Sequence, residues 1–142
     1  GTINLIKNFY THFSGNKKNI VKIINIASIY GLIPPKFEIY SKNDPRYSSE
    51  IYGATKSGIN QLTKYFAKFF SGKNIIVNSI SPGGILNERL QTKKFIRDYS
   101  KNVPLKRMAN ITDIVDPILF MCSNKSNYIN GQNIIIDGGF SC

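Results

Sequence analysis

"IVKIINIAS", residues 20–28, decides the fold. It is almost continuously apolar and rich in β-branched side chains. A strand with one wet face alternates apolar and polar residues. A run like this one reads instead as a strand buried on both faces, as in a parallel sheet. It ends at Ser28. A second such run, "IIVNSIS" at 75–81, ends at Pro82-Gly83-Gly84. A third lies within "YINGQNIIID" at 128–137, after an Asn-Gly turn, and ends at Asp137-Gly138-Gly139.

The stretches between and before these runs carry helical spacing. In "INLIKNFYTHF" the apolar positions are Ile3, Ile6, Phe9, Tyr10 and Phe13, which share one helix face. "SGNKKN" breaks that helix. Residues 31–50 hold three prolines and several polar turn formers, so they read as a loop. Residues 51–70 read as a helix, with Ile51, Ala54, Ile59, Leu62, Phe66 and Phe69 on one face and Ser48 or Ser49 as its cap. A further helix is expected from about Gln91 to Lys101. "ITDIVDPILFMCS", 111–123, reads as a helix capped by Thr112, with Pro117 nearer its start than its end. Strands that alternate with helices imply right-handed crossovers and a parallel sheet covered on both faces. The expected class is α/β, in one domain, with no internal repeat or dividing linker.

Composition narrows the function. The chain has 142 residues, enough for one domain with a real core. No apolar run approaches the roughly 18 residues of a membrane span. The start, "GTINLIKNFY", lacks the basic and then apolar pattern of a secretory signal. Gly1 falls in the middle of a helical pattern, so the natural start is expected upstream. The net charge of +11 comes from scattered lysines, the densest cluster being "NKKN". That argues for a mild attraction towards anions rather than a nucleic-acid surface. Cys122 and Cys142 show no metal or redox spacing and read as buried or terminal free thiols of a reducing, cytoplasmic compartment. One histidine, His12, is too few for a metal site, and no metal is expected.

In an open α/β sheet, ligands bind beyond the carboxyl ends of the strands. Ser28, Pro82-Gly83-Gly84 and Asp137-Gly138-Gly139 fall on that edge. So does the start of the helix 51–70, where "IYGATKSG" places Tyr52 four residues before Lys56, one turn apart on one face. About one such pair is expected by chance in a chain of this composition, so the pair gains meaning only from its company on this edge.

Taken together, these stretches resemble the short-chain dehydrogenase/reductase family. "INIASIYG" resembles the strand that ends in the family's catalytic serine, "YGATK" its Tyr-x-x-x-Lys, and "VNSISPGGI" its Pro-Gly turn. "PLKRMANITDIVDPILFMCSNKSNYINGQNIIIDGGF" resembles its closing segment. The family's glycine-rich phosphate loop, its first strands and its tetrad asparagine have no counterpart in these 142 residues. The resemblance therefore implies the C-terminal half of a doubly wound, Rossmann-like domain, with residues 1–142 forming part of one such domain. The path from Ser28 to Tyr52 is about ten residues longer than is usual in the family. With "RYSSEIYGATKSGINQLTKYFAKF" and "ISPGGI", it is similar to oxidoreductases of flagellin-modification and nonulosonic acid pathways.

The resemblance implies an oxidoreductase that interconverts a carbonyl and an alcohol, on a sugar or sugar derivative, with NAD or NADP. Ser28, Tyr52 and Lys56 would be catalytic. Tyr52, Lys56, Pro82, Gly83, Gly84, Ile85 and Asn87 would face the cofactor. A free phenol titrates near 10, and a neighbouring ammonium favours the phenolate, which suits Tyr52 to acid–base work beside Lys56. Tyr30, Arg46 and Tyr47 are candidates for the substrate. Lys36 and Tyr40 in the same insertion could join them, the cations gripping an anionic group. Asp137-Gly138-Gly139 would close the last strand near a subunit contact. The expected partners are a small-molecule substrate and further copies of the full-length protein, as a dimer or tetramer, with no nucleic acid and no membrane. The isolated chain would be inactive. The alternative is a non-catalytic remnant or an oligomerising fragment, with its first strand left as an open edge.

Overall fold

The computed structural model describes residues 1–13, 19–40 and 48–142. Three strands form one parallel sheet in the order β1 (Val21–Ile26), β2 (Ile75–Pro82), β3 (Asn133–Ile136). The helices are α1 (Thr2–Phe13), α2 (Glu50–Phe69), α3 (Lys93–Asn102) and α4 (Ile111–Cys122).

The pairing Val21↔Ile75 and Lys22↔Ile76 sets which side chains share a face. Val21, Ile23, Ile75 and Val77 point to α1 and α2, where they pack with Ile6, Leu62, Phe66, Ala67 and Phe70. Lys22, one residue out of phase, points the other way. Its ammonium donates to the Ser123 carbonyl and, at 2.6 Å, to Ser126 Oγ, just beyond α4. The sheet is thus covered on both faces, as its apolar runs require. Burying each large aliphatic or aromatic side chain of this core contributes about 1.5–3 kcal/mol.

Burial separates the two long strands. β2 is buried along nearly its whole length. β1 is only partly buried, because among the described residues it has a neighbouring strand on one side alone. The polar residues of β2 are all satisfied, as burial demands. Asn78 donates to the Ile129 carbonyl at 2.7 Å and accepts from Gln132 N at 2.9 Å. Ser81 donates to Asn133 Oδ1 at 2.9 Å. These bonds tie the Asn-Gly turn to β2 and fix the register of β3. Gly131 in that turn has φ 72°, the left-handed conformation that glycine adopts without strain.

Some expectations need correction. The cap of α4 is Asn110 rather than Thr112. The Asp113 carboxylate accepts from Asn110 N at 2.7 Å, a reciprocal bond that Thr112 could not receive. Pro117 lies well inside α4, where its missing N–H forfeits one backbone bond, yet the helix runs on to Cys122. Cys122 is exposed and free, as is Cys142. The loop after β1 contains two short 3-10 turns, Ile29–Gly31 and Phe37–Ile39. Lys36 donates to Asn102 Oδ1 at 3.1 Å and lies 5.0 Å over the Phe140 ring, joining the insertion to α3 and the C-terminal turn. No helix among the described residues is long and apolar enough to cross a membrane.

Candidate active site

Where β1 ends, Ser28 is held in extended backbone and caps the turn Ile29–Gly31, its Oγ accepting from Tyr30 N at 3.2 Å. Ser28 is buried. Its own hydroxyl proton meets no acceptor among the described residues, so it remains to be donated. Ser49 caps α2, accepting from Tyr52 N at 3.3 Å, which sets Tyr52 in the first turn. Two glycines then let the turn after β1 lie directly on α2. A Cβ on Gly31 would come within 2.6 Å of the Lys56 carbonyl carbon, and one on Gly53 within 2.9 Å of the Tyr30 carbonyl oxygen. This contact, rather than the long loop between them, sets Ser28 against Tyr52.

Lys56 lies one turn further along α2. Its ammonium donates to the Ile26 carbonyl at 2.9 Å and sits 5.6 Å from the centre of the Tyr52 ring. The carbonyl at the end of β1 thus anchors a cation behind the phenol.

The turn after β2 is held almost atom by atom. Gly83 N donates to the Ile136 carbonyl at 2.8 Å, and Gly84 N to Tyr99 Oη at 2.6 Å. Gly84 O accepts from Ala109 N at 2.9 Å. Gln91 accepts from Asn87 N at 2.8 Å and donates to the Ile85 carbonyl at 2.9 Å. That leaves the Ile85 N–H as the donor of this turn without a partner among the described residues. The amides of Gly83 and Gly84 are thus both engaged within the protein. Asn87 is exposed, with Oδ1 accepting from Arg89 N at 3.2 Å.

A cleft of about 190 Å³ brings Ser28, Tyr30, Tyr52, Pro82, Gly83 and Gly84 together. Lys56, Ile85 and Asn87 are not on its wall. Arg46 and Tyr47 lie outside the described residues. Sequence reasoning missed several residues of the wall: Ser48, Gln91, Phe95, Tyr99 and Met108. Tyr40, placed only loosely as part of the insertion, lines it too. Phe95 and Tyr99 sit four apart on α3, a spacing that could have marked them as one inward stripe. No charged side chain lines the cleft among the described residues.

Two phenols of the wall are strongly perturbed. Tyr30 is pushed well above the ordinary phenol value by burial, and then by its 3.0 Å hydrogen bond to Tyr40. Burial pushes Tyr99 up to about 12, although the bond from Gly84 N works against this. A free phenol ionises near 10, so the unfolded chain loses this proton at lower pH than the folded one. The stability linked to Tyr99 is then complete below pH of about 10 and lost as pH rises through about 12. Chemical denaturation between those limits is expected to show a falling stability that Tyr99→Phe flattens. An unaltered slope in the variant would contradict it.

Known proteins share this chain's sequence pattern and fold. A family model described as enoyl-(acyl carrier protein) reductase matches residues 2–141. The post-translational flagellin modification protein A of Campylobacter coli is 37% identical over 124 residues, which cover 87% of this chain and 47% of that protein. The 3-oxoacyl-(acyl-carrier-protein) reductase FabG of Thermotoga maritima is 34% identical over 120 residues, covering 82% and 44%. Among solved structures, a short chain dehydrogenase of Leptospira borgpetersenii with bound NAD+ superposes with a TM-score of 0.89 at 38% identity, covering 99% of this chain and 52% of that one. The chain thus spans about half the length of the relatives it matches. With the parallel sheet, the site-bearing turns at its carboxyl edge and a match running almost end to end, the chain belongs to the short-chain dehydrogenase/reductase family.

Proposed function

We propose that this chain is the catalytic half of an NAD- or NADP-dependent oxidoreductase that interconverts a carbonyl and an alcohol. The observation that supports this most is the cleft shared by Ser28 and Tyr52, with the Lys56 ammonium behind the phenol. A bound nicotinamide supplies or accepts the hydride at the substrate carbon. The residues present suit such a group: the unpartnered Ile85 N–H can meet its carboxamide, and Lys56 keeps N–H donors beyond the one it gives to Ile26. In the reducing direction Tyr52 gives its phenolic proton to the substrate oxygen as the carbonyl becomes an alcohol. In the oxidising direction it takes that proton back. Ser28, whose Oγ already accepts from Tyr30 N, turns its proton to the substrate oxygen and steadies the charge that develops there. Lys56 holds its ammonium 5.6 Å from the centre of the Tyr52 ring, one helical turn from the reacting phenol.

The substrate in this reading is a hydroxyl-bearing molecule, a sugar or sugar derivative. Aromatic faces from Tyr30, Tyr40, Phe95 and Tyr99 suit a ring, while Ser48 and Gln91 suit hydroxyl groups. The flagellin-modification relative adds weight to it. The direct test is isotope transfer: the intact protein is given deuterium-labelled NADH or NADPH and a set of keto-sugars. Deuterium on the product carbinol carbon is expected. No label from either cofactor in any product would remove the proposal.

The pyrophosphate of such a cofactor needs backbone N–H groups at a helix N-terminus and a close glycine approach. We assign those to a segment outside residues 1–142. The 142-residue chain by itself is therefore expected to bind neither NAD nor NADP usefully, and micromolar binding in a calorimeter would refute that division. The second reading, an assembling fragment, rests on the exposed Ile3, Leu5 and Phe13 of α1 and Tyr65 and Phe69 of α2. Such an apolar surface suits contact with a second copy, in the whole enzyme as well as in the fragment.

A further inference from the structure

Tyr30 does more than line the cleft. On its other side lies a second cavity of about 440 Å³, walled by Leu32, Pro34 and Phe37 of the insertion and by Glu50, Ala54 and Ser57 of α2. The two spaces share Tyr30 and Ser48 as common wall. Tyr30 is fixed in that wall at both ends. Its carbonyl rests on Gly53. Its phenol hydrogen-bonds Tyr40 at 3.0 Å, and the Tyr40 ring packs 5.5 Å from Phe95 of α3.

We infer that the substrate site is bipartite, with Tyr30 as its partition. The reacting carbon lies in the cleft with Ser28 and Tyr52, and the second cavity holds the neutral, ring-shaped remainder of the substrate. This rests on the oxidoreductase reading for the identity of the cleft, but the cavity has its own chemistry. Its insertion wall is apolar, with Leu32 and Phe37 both well exposed and able to cover the face of a ring. Serine hydroxyls on the α2 side offer hydrogen bonds. Its one charged residue among those described is Glu50, which repels phosphate and carboxylate. Lys36, the described cation of the insertion, is not among the residues that line it. The described residues of the path from Ser28 to Tyr52 that line this cavity thereby gain a purpose: they build a subsite for the part of the substrate that does not react.

The test reads binding, so it does not depend on turnover. Methyl and ring resonances of the chain are followed by NMR while phenyl β-D-glucopyranoside is added as the neutral probe. Glucose 6-phosphate serves as the anionic one. The neutral probe is expected to shift Leu32, Phe37 and Ala54, and the phosphate to shift none of them at equal concentration. Ala54→Trp fills the cavity from an exposed helix position and should weaken the neutral probe at least tenfold with melting unchanged. Leu32→Ala, which removes one wall, should weaken it as well. Unchanged affinity in both variants, preference for the phosphate, or no shift of these residues by the neutral probe would each overturn the inference. If the deuterium test fails while these shifts are seen, the oxidoreductase reading falls and the cavity stands. The converse result separates them equally well.

Discussion

Replacing Tyr52 by phenylalanine in the intact enzyme is expected to lower turnover by roughly 10²- to 10⁴-fold. Cofactor affinity and folding should change little. The variant keeps the ring, and with it the contact to the Lys56 ammonium at 5.6 Å. Only the hydroxyl leaves, and that hydroxyl makes no hydrogen bond among the described residues. Tyr52 is also 41% exposed, so no buried polar group is stranded. Changes at such exposed positions usually stay within about 0.5 kcal/mol. A large loss of rate with no loss of stability is therefore the signature of a proton-transfer group rather than of a structural one. Lys56 makes the contrast. Lys56→Met would also release the Ile26 carbonyl, so it should affect both the rate and the packing of β1 against α2. Steady-state kinetics and thermal melting of both variants settle the matter. A Tyr52→Phe enzyme that kept more than a tenth of normal activity would show that the proton travels by another group.

The sheet and its helices were legible because they obey period. Mostly apolar, β-branched runs marked the three strands, and spacing of three and four marked α1 and α2. Chain ends were less legible, since local competition decides them: Asn110 won the cap of α4 from Thr112 because Asp113 could bond back to its amide. The bifacial burial expected of β1 was only half met, because depth depends on neighbouring strands and not on composition. At the site, the residues that sit at strand ends or on the face of α2 could be named from their position. Spacing could mark Tyr99 as inward-facing, but the hydrogen-bond partners of Tyr99 and Gln91 could not be named. Tyr99 accepts from Gly84 N, 15 residues away, and Gln91 folds back on the Asn87 and Ile85 backbone groups of an irregular turn. Such pairs have no period. The same holds for Tyr40, whose bond to Tyr30 exists only because the insertion folds back over the site.

Glycine contacts are equally silent in sequence, and one of them carries the second large effect. Gly31→Ala is expected to cost about 1–3 kcal/mol of stability, the usual range for an overpacked interior contact. It should also lower kcat by up to roughly 100-fold. The added Cβ would meet the Lys56 carbonyl carbon at 2.6 Å, Ser57 N at 2.7 Å and Lys56 O at 2.9 Å. All three are backbone atoms of α2 and cannot rotate aside as a side-chain tip can. The turn Ile29–Gly31 must lift from the helix instead. That turn begins at Ser28, and the helix carries Tyr52 and Lys56, so the lift opens the distance across which both must reach one substrate oxygen. A displacement near 1 Å between reacting groups is enough for such a loss of rate. Gly58 on the same helix is the control. Nothing lies within 4 Å of a Cβ there, so Gly58→Ala should stabilise α2 by about 0.5–1 kcal/mol through helix propensity alone and leave kcat unchanged. Melting and kinetics on the two variants give opposite signs for stability if the close approach of Gly31 is real. If Gly31→Ala behaves like Gly58→Ala, the turn does not rest on α2, and something other than this contact holds Ser28 against Tyr52.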